Sequence, residues 1–203
     1  TKKGGAEEIS STYRIFSRLF CNFVMEGRPM PETKHKAGVS DAEQILGKAD
    51  RVDGARDMDA MREADDDGDQ ALAKLGGKKY KENIAAALTA IATQDGGDFY
   101  LSREKLAIYG PKFLEMLDNI TDEANPGLHL MYSQFRSMEG IAIFALVLEH
   151  HGFARLRIKK DARNTWSLDV AAADLHKPKY VLYTGTEDTA EREVIRNIYN
   201  GDW

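Results

Sequence analysis

The sequence predicts an α/β protein built on a parallel sheet with flanking helices, preceded by a helical extension and an acidic insertion. Three observations predict it. Short apolar runs at 128–132, 154–158 and 180–183 alternate with helical patterns over 139–150 and 189–199. That order suits parallel strands joined by crossover helices. Phe16, Leu19, Phe20 and Phe23 fall on one helical stripe near the start of the chain. Between these regions, residues 38–95 hold 13 acidic against 8 basic side chains and few aromatics, the composition of a solvated insertion.

Composition removes several classes. The chain has 203 residues, 42% hydrophobic and 30% charged, enough to bury a core beneath a charged surface. Collagen, a disulfide mini-protein and a wholly disordered chain are excluded. The longest apolar run, 141–148, is far too short to span a bilayer, so no membrane partner is expected. Cys21 stands alone, which precludes an internal disulfide, and its place beside an apolar stripe reads as structural. A net charge of −5 argues against a purely electrostatic nucleic-acid binder but leaves room for a local basic groove. The chain opens Thr1-Lys2-Lys3-Gly4-Gly5 and stops at Trp203 just after a helical pattern. Both ends read as cuts, so a piece of a larger protein is expected.

Three regions follow along the chain. Residues 1–31 form a helical segment, with Ser10, Ser11 or Thr12 as N-cap and Gly27-Arg28-Pro29-Met30-Pro31 as terminator. Residues 32–99 form the acidic insertion. It is polar with fragmentary helix to the break predicted at Gly76-Gly77. An amphipathic helix then carries Tyr80, Ile84, Leu88 and Ile91 and ends at Asp95-Gly96-Gly97.

Residues 100–203 carry the sheet. Gly110-Pro111 places proline in the first turn of a helix whose apolar face is Phe113, Leu114, Leu117 and Ile120. Asn125-Pro126-Gly127 predicts a turn, and Leu128 to Tyr132 a buried strand. The helix over 139–150 is nearly all apolar and is closed by Gly152. A hairpin is expected from 154–158 through a polar turn at 159–164 to 166–170. A buried strand at 180–183 leads to a helix with Asp188 and Glu191 in capping-box spacing and Val194, Ile195, Ile198 and Tyr199 on its inner face.

Most motif-like runs fail on chemistry. Gly76-Gly77-Lys78-Lys79 lacks the first glycine and the hydroxyl of a phosphate-binding loop. Asp122-Glu123-Ala124-Asn125 imitates an acidic ATPase box but follows a polar run instead of a buried strand. Glu63 to Gly68 starts like a calcium loop, yet its twelfth position is Lys74. His150-His151 are adjacent and share no helical face. No catalytic residue and no metal site are expected.

Two segments retain chemistry. Ser133-Gln134-Phe135-Arg136 stands at the carboxyl end of the buried strand expected over 128–132 and precedes a helix, where ligands of open α/β sheets bind. Ser133, Gln134 and Arg136 can bond phosphate oxygens, and Phe135 can stack or pack. Tyr183-Thr184-Gly185-Thr186-Glu187-Asp188 leads to a helix start, an anion-binding geometry. The alternatives are an ordinary polar strand edge and an ordinary capped turn. Lys159 and Lys160, in the polar turn, are weaker candidates.

Taken together, Ser133-Gln134-Phe135, Gly185-Thr186, Glu191-Arg192 and Ile198-Tyr199-Asn200 resemble the start of the second RecA-like lobe of SNF2-type superfamily 2 helicases. The closer likeness is to helicase-like proteins of nucleocytoplasmic large DNA viruses, of the poxvirus early transcription factor type. It rests also on Ser11 to Arg18, Cys21-Asn22-Phe23-Val24, Gly127 to Gly140 and Leu182 to Trp203, about half the chain. The resemblance implies a partial RecA-like lobe, the helicase C-terminal lobe, over 100–203, with 1–31 leaving the first lobe. It implies a segment of a DNA-binding, ATP-dependent hydrolase of viral transcription, in the virion or the cytoplasm of the infected host cell. Partners would be a DNA or RNA backbone, the remaining helicase lobes and the viral transcription machinery.

Ser133, Gln134, Phe135, Gly185 and Thr186 match motifs that grip one strand's phosphates, and Arg136 joins them by adjacency. ATP and Mg²⁺ would be cofactors of the full-length protein. This segment lacks the nucleotide-binding loop, acidic box and arginine finger, so none is expected to bind to it alone. A non-enzymatic binding or assembly module is the competing reading. A small-molecule enzyme on a Rossmann-like sheet would need a glycine fingerprint that the chain lacks.

Overall fold

The computed structural model describes residues 19–29, 67–133, 135–136, 138–183 and 189–201, with 67–77 described by backbone alone. The chain divides into two compact units, one ending at Phe144 and one beginning at Ala145. Helices and two two-stranded sheets, one of them parallel, make up the described elements. No helix among the described residues is long and apolar enough to cross a membrane.

The first unit is helical. Its longest element, α1, spans Asp67–Thr93 and runs through Gly76-Gly77 without interruption. The break predicted there is therefore corrected. Glycine costs a helix about 1 kcal/mol relative to alanine, yet it keeps its N–H and adopts helical dihedrals, so favourable neighbours carry the helix across. Tyr80, Ala87 and Ile91 are buried, with Ile84 and Leu88 half-buried beside them, the face expected from the spacing. The helix ends where predicted. Asp95, Gly96 and Gly97 have φ of 52°, 67° and 96°, three successive left-handed residues that reverse the chain.

Three short helices follow: α2 (Asp98–Leu101), α3 (Arg103–Tyr109) and α4 (Pro111–Thr121). Pro111 opens α4, where no intrahelical donor is lost. Phe113 and Leu117 are buried on its inner face, and Leu114 and Ile120 are half-buried. Leu19 and Phe23 pack inward, whereas Phe20 is largely exposed; Phe16 lies outside the described residues. Phe23 sits 6.1 Å from the ring of Tyr100 and 6.2 Å from Phe113, and Phe113 sits 5.3 Å from Phe144. These rings form the centre of the unit. A Cβ at Gly110 would meet Phe23 at 2.8 Å, so the glycine admits the ring.

The run 128–132 is a correction. It forms no strand, and Leu128, Leu130 and Tyr132 are exposed. Apolarity alone suggested a strand; the run has no valine, isoleucine or threonine to favour one. Gly127, at φ 116°, turns the chain just before it.

The second unit begins within α5 (Ile143–His150), which is preceded by a π-helical turn over Met138–Ala142. Gly152, at φ 89°, closes α5 as predicted. The Phe153 N–H donates to Leu148 O at 2.9 Å and the Gly152 N–H to Glu149 O at 3.1 Å, a Schellman closure. Strand β1 (Ala154–Arg155) pairs in parallel with β4 (Lys179–Tyr180), Ala154 opposite Lys179. Between them, β2 (Ile158–Lys160) and β3 (Trp166–Leu168) form the antiparallel hairpin, Lys160 opposite Trp166. Helix α6 (Thr189–Asn200) buries Ile195.

Two expectations shift here. Lys159 and Lys160 lie in β2, not in the turn, because Asp161 closes the turn. Its Oδ1 accepts the N–H groups of Arg163 and Thr165 at 2.8 Å each. The strands expected at 128–132 and 180–183, side by side or one strand apart in one sheet, give way to β1 paired with β4, connected by a hairpin and a 3₁₀ turn at Ala172–Asp174. Val181 to Tyr183 lie beyond the ladder. The acidic insertion expected over 32–99 lies outside the described residues through position 66, and its side chains through position 77.

Candidate nucleic-acid interface

Of the six residues singled out from sequence, Ser133, Phe135 and Arg136 are described, and they form one turn in the first unit. Gln134, Gly185 and Thr186 lie outside the described residues. Phe135 is 5% exposed and packs with Leu19, Tyr80 and Ile84, so its ring anchors the turn and is not available to stack on a base. The Ser133 hydroxyl accepts the Phe135 N–H at 3.2 Å and donates to Phe135 O at 3.0 Å. It shapes the turn, as short hydroxyl side chains do. Arg136, next along the chain, is half-buried.

The turn is locked from its far side. Phe135 O accepts the Ile141 N–H at 2.9 Å, and Arg136 O accepts the Ala142 N–H at 3.1 Å. These bonds bring Gly140 so close that a Cβ there would stand 1.9 Å from Phe135 O. Only glycine fits, because the obstructing atom is backbone.

Next to it, Glu139 is 1% exposed and pairs with Arg28. The guanidinium engages both carboxylate oxygens, Nε to Oε1 and Nη2 to Oε2 at 3.0 Å, while Nη1 donates to Pro29 O at 2.8 Å. Burial opposes the Arg28 charge, but the bonded Glu139 carboxylate outweighs it and holds the guanidinium above its ordinary value. Sequence reading took Gly27-Arg28-Pro29 only as a helix terminator. Nothing local marks a pair 111 positions apart.

In the second unit, Lys159 and Lys160 are both engaged. Lys159 Nζ lies 2.8 Å from Asp169 Oδ1, and Lys160 Nζ lies 4.5 Å from the Trp166 ring centroid. The Lys159 bond holds the Asp169 carboxyl below its ordinary range.

Sequence reading missed two other cations, Arg155 and Arg157. They line a cleft of about 290 Å³ with Val181, Leu182, Glu191 and Ile195. Arg155 Nε is buried without a hydrogen-bond partner. The alternation Arg155-Leu156-Arg157-Ile158, which puts both arginines on one side of an extended chain, was the available signal. A neighbouring cleft of about 340 Å³ shares both arginines and includes Glu149, Asp169 and Asp174. Each of those carboxylates already has a partner: Tyr180 Oη at 2.5 Å, Lys159, and Lys177 at 2.8 Å. Among the described residues no group of three His, Cys, Asp or Glu side chains could hold a metal ion.

Comparison of the chain with protein-family models, with curated proteins and with solved structures finds no match.

Proposed function

We propose that the chain is a segment of a nucleic-acid-dependent ATPase of the SNF2-like superfamily 2 helicase type, serving viral transcription in the virion or infected-cell cytoplasm. In this reading Ser133 to Arg136, with Gly185 and Thr186, hold the phosphate backbone of a DNA or RNA strand, and residues 100–203 belong to a RecA-like lobe. The observation that carries it is the turn at 133–136. Ser133 shapes it, Phe135 anchors it, and Arg136 stands beside them half-buried. Phosphate contacts of this kind position a strand without reading its bases. The parallel β1–β4 pair followed by α6 is compatible with such a lobe. ATP and Mg²⁺ belong to other parts of the full-length protein, because this chain has no phosphate-binding loop.

Arg136→Ala tests this reading. Strand affinity should fall similarly for all base sequences, and its dependence on salt should weaken by about one counterion. Unchanged affinity and slope would remove Arg136 from the interface. A second reading, a non-enzymatic binding or assembly module, is favoured by the exposed Leu128, Leu130 and Tyr132, an apolar strip that a partner could cover. Strand-stimulated ATP turnover by the full-length protein would exclude it.

A further inference from the structure

We propose that the cleft of Arg155 and Arg157 in the second unit is a binding site for a phosphate group. Three observations converge on it. The first is position. The cleft is lined by Arg157 just past the end of β1 and by Val181 and Leu182 just past the end of β4. It therefore opens at the carboxyl ends of the parallel pair, the place where open α/β sheets take their ligands.

The second is unspent hydrogen-bonding capacity, although Arg157 also attracts the Asp169 carboxylate from a distance. Neither guanidinium forms a hydrogen bond or ion pair with a described residue, and Arg155 Nε is buried from water as well. Arginine does not relieve such a site by losing its proton. A buried donor without an acceptor is costly, so an anion that supplies one gains a stronger bond there than on an open surface. The surrounding carboxylates do not fill that role. Glu149, Asp169 and Asp174 are bonded to Tyr180, Lys159 and Lys177. Glu191, on the opposite wall, bonds neither arginine.

The third is fit. Two planar forks on neighbouring positions match the several oxygens of a phosphate better than the two of a carboxylate. The cleft, at about 290 Å³, is large enough for a phosphate-bearing group and small for a whole cofactor. The phosphate could belong to a strand or to a free nucleotide or pyrophosphate; the chemistry at the arginines is the same. This site belongs to the second unit and the turn at 133–136 to the first, so it does not require the helicase reading.

The test uses the whole chain and two probes: pyrophosphate followed by titration calorimetry, and a labelled single-stranded oligothymidylate followed by anisotropy at low salt. Arg155→Gln and Arg157→Gln should each weaken binding about tenfold. Arg163→Gln, at the exposed hairpin tip outside the cleft, should leave it unchanged. Loss for pyrophosphate alone assigns a free phosphate source, and loss for both probes with mutual competition assigns a strand. Failure of the wild type to bind either probe would overturn the site. So would equal weakening by Arg163→Gln, which would mean a diffuse basic surface. Arg157 is exposed, so its variant decides the matter if Arg155→Gln melts early. Oligothymidylate binding that falls with Arg136→Ala but not with the two cleft variants would keep the helicase reading and remove this site. Pyrophosphate binding that needs Arg155, without any strand binding, would do the reverse.

Discussion

The two units are stabilised differently. Among the described residues the first holds most of the buried apolar side chains, including Phe23, Ile91, Leu101, Leu106, Phe113 and Leu117. Apart from Val147, Leu148, Ala154 and Ile195, the second has half-buried faces on two-residue and three-residue strands. Its order comes from polar devices: the Schellman closure at Gly152, the Asp161 turn, the Tyr180–Glu149 bond and the Lys159–Asp169 pair. A deep core tolerates few changes of shape, while a polar scaffold is sensitive to charge and pH. The difference teaches that the two candidate sites rest on different supports.

The largest effect should come from breaking the one buried ion pair described in the first unit. Glu139→Gln leaves Arg28 buried against a neutral amide, at a cost of about 3–5 kcal/mol. Chemical denaturation monitored by tryptophan and far-ultraviolet signals would measure it. A loss below about 1 kcal/mol would mean that the pair is solvated.

Next, Leu117→Ala and Ile195→Ala compare the two cores directly. Both remove buried methylenes, and such changes cost about 2–5 kcal/mol depending on how far the site relaxes. Leu117 is 0% exposed, whereas Ile195 is 6% exposed beside an open cleft. Leu117→Ala should fall near the upper end and Ile195→Ala near the lower. Equal losses would erase the contrast.

A smaller effect separates the units by pH. Burial, then the bond to Glu149, raises the Tyr180 hydroxyl above its ordinary value. In the unfolded chain a tyrosine ionises near pH 10. Tyr180 therefore adds stability that is fully present below that pH and lost as pH rises toward its folded value. Above pH 10 the wild type should lose melting temperature more steeply than Tyr180→Phe. Parallel curves would show that Tyr180 ionises as it does in the unfolded chain.

Smallest of all, Arg163→Gln changes an exposed side chain at the hairpin tip and should alter stability by less than about 0.5 kcal/mol. A larger loss in a melting experiment would show that the polar turn depends on more than Asp161.

Local chemistry was legible in the sequence. Asp95-Gly96-Gly97 ended a helix, Pro111 began one and Gly152 closed one, each through residues near one another in the chain, whereas the hairpin kept its second arm and its first moved from 154–158 to 158–160. Features that depend on distant partners were not legible. Leu128 to Tyr132 looked like a strand because apolarity says nothing about whether a ladder partner is adjacent. The Arg28–Glu139 pair joins two segments with no shared pattern. At the candidate site the sequence could show a hydroxyl, an aromatic and a cation close together, but burial of the Phe135 ring depends on Leu19 and Tyr80, far away in sequence. Arg155 and Arg157 gain their meaning only when β4 and α6 wall the cleft around them.

Gly140 has a consequence for tracing kinship. A position where even a methyl group would overlap a carbonyl oxygen permits no drift, whatever the rest of the chain does. Its neighbour Glu139 is free to change only together with Arg28, because either charge alone would be stranded in the interior. A descendant of the same ancestor should therefore carry an invariant glycine beside a position that co-varies with one more than a hundred residues upstream. That fingerprint is set by geometry instead of by activity, so it would persist in relatives of different activity.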